Sequence, residues 1–426
     1  MGGKAILIVV LGFSLIFLIM EKNIGSASTR SVSNMADYHA TVTAYNIAVS
    51  GANIAANQIY LNKSWKKGYK NISYQNGKIN VTVDVLDAFR KIIRINSVGT
   101  FRGKKDTVQI TLQPSKFSKF AYYSQNEGNN IWWTTGDTVW GPLHSQDVMN
   151  IDGSPVFMGK VTSKKALNLR RGATPKFLGG FEQGVNLKLP KNGVKDLRTA
   201  ARNGGAYITG KKTVYIKFDG DNIKYKYSTQ KKKKKRRRGR EDDDEGEHND
   251  NKEGKWTTVP AKTFAPNGTI FVNNAILRIS GKVKGQYTIG VGGRGSKGNI
   301  YIDDDIVYDK DPVKDPSSED LLGIIAQNNV YVTDNSANNN GINIDAAIYV
   351  EKGGFGAENY KRRGPSGTIN LLGGISQRIR RPVGTFNWRG VTSGFNKSYK
   401  YDNRLMFSFP PTFPNTGFYE IVSWYE

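Results

Sequence analysis

Three consecutive aspartates, Asp303, Asp304 and Asp305, are the clearest candidates for chemistry in this chain. Further aspartates follow them within the next turn-rich segment. Carboxylates grouped in this way can bind calcium, or can act as acid and base on a uronic-acid polymer. A polar loop that leads to the turns Asp311-Pro312 and Asp315-Pro316 explains the same residues without any chemistry. We favour the loop, and leave calcium binding and polysaccharide cleavage as alternatives.

Other residue types that carry catalysis are sparse. The chain has no cysteine, so it can form neither a disulfide nor a thiolate metal site. Its histidines, His39, His144 and His248, are far apart in sequence. Zinc sites and nucleophilic triads need side chains that converge, and no spacing here indicates such convergence. We therefore expect a protein that is not an enzyme and that has no cofactor.

An uncharged apolar run, Ala5–Met20, opens the chain between Lys4 and Glu21. Its sixteen residues are fewer than the roughly 20 of a usual membrane span, but they can cross a thin bilayer. Helical periodicity continues well beyond this run. One helix face carries small or apolar residues at steps of three or four, which are Ala44, Ala48, Ala52, Ala55 and Ile59. The sequence therefore predicts one long helix from Ala5 to about Asn62, with this stripe as its packing face.

The beginning of the chain fits three interpretations. It can be a secretory signal cleaved near Gly25-Ser26-Ala27, a plain membrane anchor, or a prepilin-like leader cleaved between Gly3 and Lys4. We favour the third, because it alone explains why an amphipathic helix continues past residue 22. Small residues along such a helix allow other helices to approach closely.

The formal net charge of +26 is spread over the chain. The segment Lys231–Lys255 contains a run of basic residues followed by a run of acidic ones, 11 basic and 8 acidic in all, so it supplies only +3. Adjacent blocks of opposite charge are typical of a solvated loop, and we expect residues 230–255 to be a disordered hairpin tip between Thr213–Tyr227 and Trp256–Val259. The remaining positive charge would attract anionic polysaccharide or DNA without sequence discrimination.

The rest of the chain is predicted to be β-rich. Lys78–Val85 alternates with period two after the turn at Asn76-Gly77, and Ile92–Phe101 with Asp106–Leu112 is predicted to form a hairpin, which gives a small antiparallel sheet. Short strands parted by Gly and Asn come next, and they fit a parallel β-helix or a β-sandwich. One helical interruption is expected at Ser317–Gln327, where a serine would cap it.

These elements give an α+β fold that is mostly β. The predicted parts are a leader and long helix at residues 1–62, a small β unit at 63–118, a large β domain at 119–386, and a C-terminal tail at 387–426 packed on the body.

The segment GGKAILIVVLGFSLIFL, the long helix and the β unit to Leu112 resemble the start of a PilX-type minor pilin. The body resembles large pilin-like surface proteins whose C-terminal domain has no assigned function. The segments that carry this second resemblance are Trp132–Thr162, Gly373–Phe386 and Tyr399–Pro414.

The resemblance implies a non-enzymatic subunit of a type IV pilus-like filament or of its assembly machinery. Its helix would lie in the inner membrane first, and then pack with copies of itself or other pilins at the cell surface. Two positions depart from the pilin pattern: Ile8 stands where glutamate is common in the mature chain, and Lys4 where phenylalanine is common. They indicate a minor or tip subunit more than a repeating one. The alternative is a secreted or anchored β-helical adhesin, with a polysaccharide lyase as a remote alternative.

Overall fold

A computed structural model describes residues 2–88, 91–128, 130–229, 252–387 and 390–426 of the chain. The chain forms two compact units, one made of residues 1–114 with 418–426 and the other of residues 115–417. Most of the predicted disordered tip, up to residue 251, lies outside the described residues.

Helix α1, Gly2–Leu61, is 60 residues long and continues through Gly25 and Gly51. The prediction of one unbroken N-terminal helix is confirmed. Every residue from 3 to 39 is exposed, whereas a buried face begins at Ala40. We call residues 3–39 the free half and residues 40–61 the covered half of α1. At 1.5 Å per residue the free half is about 55 Å long.

A small antiparallel sheet completes this unit, in the order β1-β2-β3-β4-β31. Its strands are β1 Tyr69–Tyr74, β2 Gly77–Asp87, β3 Ile92–Phe101, β4 Lys104–Lys116 and β31 Asn415–Tyr425. The predicted pairing of the segments that form β3 and β4 is confirmed. Strand β31 joins this sheet from the far end of the chain, so no local sequence pattern indicated it.

The covered half of α1 packs on this sheet because of how β3 alternates. Every second residue of β3 is buried, including Ile93, Ile95 and Gly99. A Cβ atom at Gly99 would lie only 2.0 Å from the carbonyl oxygen of Ala44 and 2.5 Å from the amide nitrogen of Ala48. Glycine on the strand and alanine on the helix therefore allow the two backbones to approach closely.

The second unit is built mainly of short strands and two helices within the described residues. The helices are α2 Gly193–Arg202 and α3 Ala261–Phe264. The strands are β5 Tyr122–Asn126, β6 Trp133–Thr134, β7 Thr138–Trp140, β8 Leu143–Ser145, β9 Met149–Asp152, β10 Val156–Phe157, β11 Val161–Ser163, β12 Leu167–Leu169, β13 Lys176–Phe177, β14 Phe181–Gln183, β15 Ala206–Ile208, β16 Thr213–Gly220, β17 Asn222–Thr229, β18 Lys252–Glu253, β19 Thr257–Pro260, β20 Thr269–Asn273, β21 Ile276–Val283, β22 Gln286–Gly292, β23 Ile300–Tyr308, β24 Leu321–Ala326, β25 Val330–Val332, β26 Ile342–Val350, β27 Phe355–Ala357, β28 Pro365–Ile379, β29 Gly384–Asn387 and β30 Gly390–Lys400.

These strands stack mostly in parallel, coil upon coil, about 4.8 Å apart. The main ladder runs in the order β15-β20-β22-β24-β26-β28-β5-β8-β11-β14. The positions in register along it are Ile208, Val272, Val291, Ala326, Val350, Gln377, Ser124, Ser145, Ser163 and Gln183. All nine strand pairings of this ladder are parallel, whereas the strands of a β-sandwich would pair antiparallel.

The chain enters this stack in its middle. Strand β5, the first of the unit, pairs with the late strand β28, and the following strands extend the ladder to β14. Residues 184–205, which include α2, then lead to β15 at the opposite end of the ladder. Residues 387–426, expected as a tail, contribute β30 to the stack and β31 to the small sheet.

The predicted helix at Ser317–Gln327 is wrong, because this segment forms strand β24. All six residues of β24 are buried. A continuous apolar run of this length suits a strand covered on both faces better than an amphipathic helix. Ser318 and Asp320, whose types suggest a helix start, instead bind two turns: Ser318 donates to the carbonyl of Lys310, and Asp320 accepts hydrogen bonds from the backbone amides of Lys310 and of Gly285 on the neighbouring coil.

The segment Thr213–Tyr227, predicted to be one arm of a hairpin, is two strands. Strands β16 and β17 pair antiparallel, with Asp219 opposite Asn222 at the turn. Strand β17 then pairs antiparallel with β18, which lies inside the predicted tip, and with β19 beyond it. The predicted disorder is wrong at Lys252 and Glu253, because they pair with Ser228 and Thr229 in a sheet, and residues 230–251 lie outside the described residues.

Candidate functional site

The free half of α1 presents a long apolar surface. Its apolar side chains between residues 5 and 20 are more than half exposed, for example Leu11 at 57% and Phe17 at 68%. Among the described residues, α1 is the one helix whose length and composition suffice to cross a membrane. An apolar surface of this extent marks a site of interaction with lipid or with another protein.

A second apolar stripe follows the membrane-length run. Ile24, Ser31 and Tyr38 are spaced seven residues apart, and so are Ser28, Met35 and Val42 beside them, so two serines interrupt the apolar stripe. The side chains of Ile24, Met35 and Tyr38 are 69%, 75% and 72% exposed. Spacing by sevens, offset by three or four, is the seam along which two helices pack in a coiled coil.

Polar side chains occupy the other side of the same stretch. They recur at steps of four, three and four, and they are Ser26, Arg30, Ser33 and Asp37. This part of α1 is therefore amphipathic in its own right, and its apolar face is covered by nothing within the described part of its unit.

Gly3 and Lys4, the predicted cleavage position, lie in the exposed first turns of α1. No described atom lies within 4 Å of a Cβ built on Gly3. The bond between them is open to solvent on the free half. Cleavage there stays a prediction.

The stripe Ala44, Ala48, Ala52, Ala55 and Ile59 lies against the chain's own sheet. All five side chains are fully buried, in one cluster with Ile79, Ile95 and Val108 among others. The sheet therefore already covers this face, and it is closed to a neighbouring helix. The stripe that a partner can reach is the one that includes Met35 and Tyr38, which the sequence analysis did not name.

The structure separates Asp303, Asp304 and Asp305. Asp303 forms a bidentate ion pair with Arg278, at 2.6 and 2.8 Å, and accepts a hydrogen bond from Thr333. Asp305 accepts two hydrogen bonds from Asn343, from its amide and its side chain. Among the described residues there is no group of three acidic, histidine or cysteine side chains that could hold a metal ion. Asp303 and Asp305 thus serve coil-to-coil contacts.

The histidines do not converge either. His144 is buried, stacks on Tyr123 with ring centroids 5.4 Å apart, and lies 2.7 Å from the hydroxyl of Thr162. Burial lowers the pKa of His144 to about 4, so the ring is neutral at physiological pH. His39 lies in the first unit, where it contacts the Phe101 ring, and His248 lies outside the described residues.

The second unit carries a row of tyrosine and arginine side chains that the sequence analysis did not identify. We call this row the tyrosine and arginine ladder, as distinct from the ladder of strands. Strand pairing places Tyr215, Arg278, Tyr301 and Tyr331 in register on consecutive coils. The Arg278 guanidinium lies 5.2 Å from the Tyr301 ring, whose centroid is 5.6 Å from that of Tyr331. The intervals between these residues in sequence are unequal, so no periodic signal could reveal them.

Carboxylates neutralise the first part of this ladder. Burial would lower the pKa of Arg278, but the ion pair with Asp303 outweighs it and the pKa is raised. Lys226 lies over the rings of Tyr215 and Trp256 and pairs with Glu253, to which Tyr215 also donates a hydrogen bond. The arginine and lysine here are therefore held by partners within the protein.

Comparison with known proteins adds little to this geometry. Neither the protein-family models nor the curated proteins contain a match to the chain. Among solved structures, the chain is similar to the crystal structure of the competence-associated pilin ComZ from Thermus thermophilus, over 91% of this chain and 97% of that chain, with 11% identity and a TM-score of 0.38. A similarity at that score carries no argument about the function of this chain.

Proposed function

We propose that this protein is a pilin-like subunit of a cell-surface filament, or of the machinery that assembles it. The observation that carries the proposal is the free half of α1, a helix of about 55 Å whose residues are all exposed beside a folded unit. It would sit in the membrane before assembly. Afterwards it would pack with helices of other copies or of other pilins. The basic second unit would then face outward and serve adhesion.

The length of the free half supports a second partner besides lipid. The run Ala5–Met20 spans about 24 Å as a helix, so it can lie in the hydrocarbon core of a thin bilayer. Residues 21–39 continue for roughly another 28 Å beyond it. Lipid tails cannot cover this second stretch while Glu21 and Lys22 remain in water. A plain anchor has no need of it.

The apolar seam on the second stretch suits another helix. Met35, Tyr38 and Ile24 offer side chains to a partner, and Ser31 and Ala27 between them are small enough for close approach. Burying a large apolar side chain contributes about 1.5–3 kcal/mol. A few such contacts in each copy are enough for cohesive assembly.

A pair of variants on this stretch tests the proposal. Met35→Glu places a charge in the seam, whereas Ser33→Glu places the same charge two residues away on the polar side. We expect Met35→Glu to abolish surface filaments in the native cell, and Ser33→Glu to leave them, as seen by electron microscopy. Both variants should still fractionate with the membrane. Filaments formed normally by Met35→Glu would contradict the role of the seam.

Sequencing the N-terminus of the mature protein supplies a second test. A mature chain that starts at Lys4 supports the filament subunit, because nearly the whole free half is then kept. A start near Ser28 would remove Ile24 and the apolar run, and would instead support a secreted adhesin. Deleting residues 1–22 should release a soluble protein that no longer assembles.

A further inference from the structure

The tyrosine and arginine ladder of the second unit ends at a cavity of about 440 Å³. Its walls include Tyr301, Tyr331, Glu358, Lys361, Arg362 and Arg381. This volume lies within the usual range for small-molecule sites, about 300–1,000 Å³. The cavity lies wholly within the second unit, far in sequence from α1.

Gly356 ends the row of ladder side chains beside this cavity, and the Arg381 side chain packs against it. It is in register with Tyr331, so it occupies the next position of the ladder and carries no side chain there. A Cβ at Gly356 would lie 3.0 Å from the Cβ of Arg381 and 3.0 Å from the carbonyl oxygen of Pro382. The row of side chains thus stops at Tyr331, and Arg381 closes the far side of the space.

The cations at the cavity differ from those farther along the ladder. Arg278 is paired with Asp303, but Lys361, Arg362 and Arg381 have no ion-pair partner among the described residues. Glu358 is the acidic residue among the lining side chains. The cavity therefore has an excess of positive charge that its own walls do not neutralise.

Arg381 in particular lacks a hydrogen-bond acceptor. Its Nε atom is buried and has no partner among the described residues, and its guanidinium lies 5.8 Å from the Tyr331 ring. A buried donor without an acceptor costs free energy. The two terminal nitrogens of Arg381 are not among the buried atoms, and a carboxylate that entered the cavity would accept from them in the planar, two-pronged geometry that arginine favours.

The ladder rings of Tyr301 and Tyr331 are not free to stack on a nucleic-acid base. Along the ladder Tyr301 has Arg278 on one side and Tyr331 on the other, and Tyr331 has Tyr301 and Arg381. Binding of single strands relies on open ring faces. The groups left for a ligand are phenol hydroxyls, guanidinium and ammonium groups, which recognise hydroxyls and carboxylates.

From this geometry we propose that the cavity binds an acidic sugar unit of a carboxylate-bearing polysaccharide. The carboxylate would be held by Arg381, with Arg362 and Lys361 at the mouth, and the sugar hydroxyls by Tyr301 and Tyr331. This gives the outward-facing second unit a defined adhesive site. Its biological meaning rests on the proposed filament, but the binding itself does not require assembly.

Binding of oligogalacturonate to the full chain in detergent micelles, at physiological salt, tests this site. Arg381→Gln should weaken the affinity by about tenfold or more, since a hydrogen bond between charged groups is lost. Arg171→Gln is the matched control, because Arg171 is an exposed arginine of the same unit and lies outside the cavity lining. It removes the same charge and should leave the affinity unchanged.

Two further variants guard against misfolding. Arg362→Gln and Lys361→Gln change exposed residues of the cavity lining, and each should weaken binding while circular dichroism stays unchanged. Equal loss in Arg381→Gln and Arg171→Gln would overturn the site in favour of diffuse charge. So would tighter binding of single-stranded oligothymidylate that is lost in Arg381→Gln. Filaments of Arg381→Gln should still form, so failure of binding and failure of assembly can be told apart.

Discussion

The free and covered halves of α1 are one continuous helix in two different surroundings. In the free half, a Cβ at Gly12 or Gly25 would have no described atom within 4 Å apart from the adjacent backbone of the helix itself. In the covered half, a Cβ at Gly51 would lie 2.4 Å from the Ser97 hydroxyl and 2.7 Å from the Ile79 side chain. The same secondary structure is therefore stabilised by tertiary packing in one half and awaits a partner in the other.

This contrast also assigns the apolar residues of the helix to separate roles. The alanine stripe of the covered half holds the chain's own sheet, whereas the seam near Met35 and Tyr38 remains available to another molecule. Changes in the covered half should alter folding, and changes in the free half should alter membrane binding or assembly. The transition falls near Asp37, whose carboxylate still pairs with Lys104 at 3.2 Å.

The largest effect on folding is expected from Gly99→Leu. Any side chain at this position would meet the backbone of Ala44 and Ala48, so the covered half would have to move away from β3. We expect a loss of about 3 kcal/mol or more, at or beyond the upper end of overpacking effects. Hydrogen exchange should show faster exchange in residues 40–61 and in β3, with β22 and β24 unchanged as an internal control. Unaltered protection of residues 40–61 would mean that the close approach at Gly99 is not required.

Matched truncations of two isoleucines compare the halves directly. Ile59 is fully buried and Ile16 is 51% exposed. We expect Ile59→Ala to lower the free energy of unfolding of the first unit by about 2–5 kcal/mol. The same change at Ile16 should stay within about 0.5 kcal/mol.

Denaturation of the full-length protein in detergent, followed by hydrogen exchange in β2 and β3, measures both variants. Equal destabilisation by Ile59→Ala and Ile16→Ala would contradict the division of α1 into a covered and a free half.

The smallest effect is expected from paired glycine substitutions. Gly51→Ala introduces a methyl group in close contact with Ser97 and Ile79, which should cost about 2–3 kcal/mol, the upper part of the range for overpacking. Replacing glycine by alanine inside a helix stabilises the helix by roughly 1 kcal/mol, which offsets part of this cost. Gly25→Ala should only stabilise the helix, because no side chain or other element lies near Gly25 for the new methyl group to meet. The two variants should therefore shift the thermal midpoint of α1 in opposite directions by circular dichroism, and a shift of the same sign would show that Gly51 does not contact the sheet.

Several elements could be predicted from the sequence because their signals are local. The long helix, the hairpin of β3 and β4, and the mostly β character of the body follow from periodicity and turn residues. The assignment of Ser317–Gln327 as a helix failed for a related reason. A short apolar run after Ser and Asp residues fits a helix start and a buried strand equally well, and only burial on both faces decides between them.

The ladder could not be predicted, because the intervals between Tyr215, Arg278, Tyr301 and Tyr331 are set by loops of different length. Nor could the entry of β5 beside β28, or the addition of β31 to the small sheet, since each joins residues that are hundreds of positions apart. Such pairings depend on which strand edges are left open once the rest of the stack has formed.

The sequence by itself determined that α1 is helical throughout and apolar at its start, because helix formation and membrane affinity depend on neighbouring residues along the chain. Which face of that helix remains open was decided only by the tertiary structure. The sheet covers Ala44 and Ile59 and leaves Met35 and Tyr38 in solvent, since packing depends on where distant strands place their side chains.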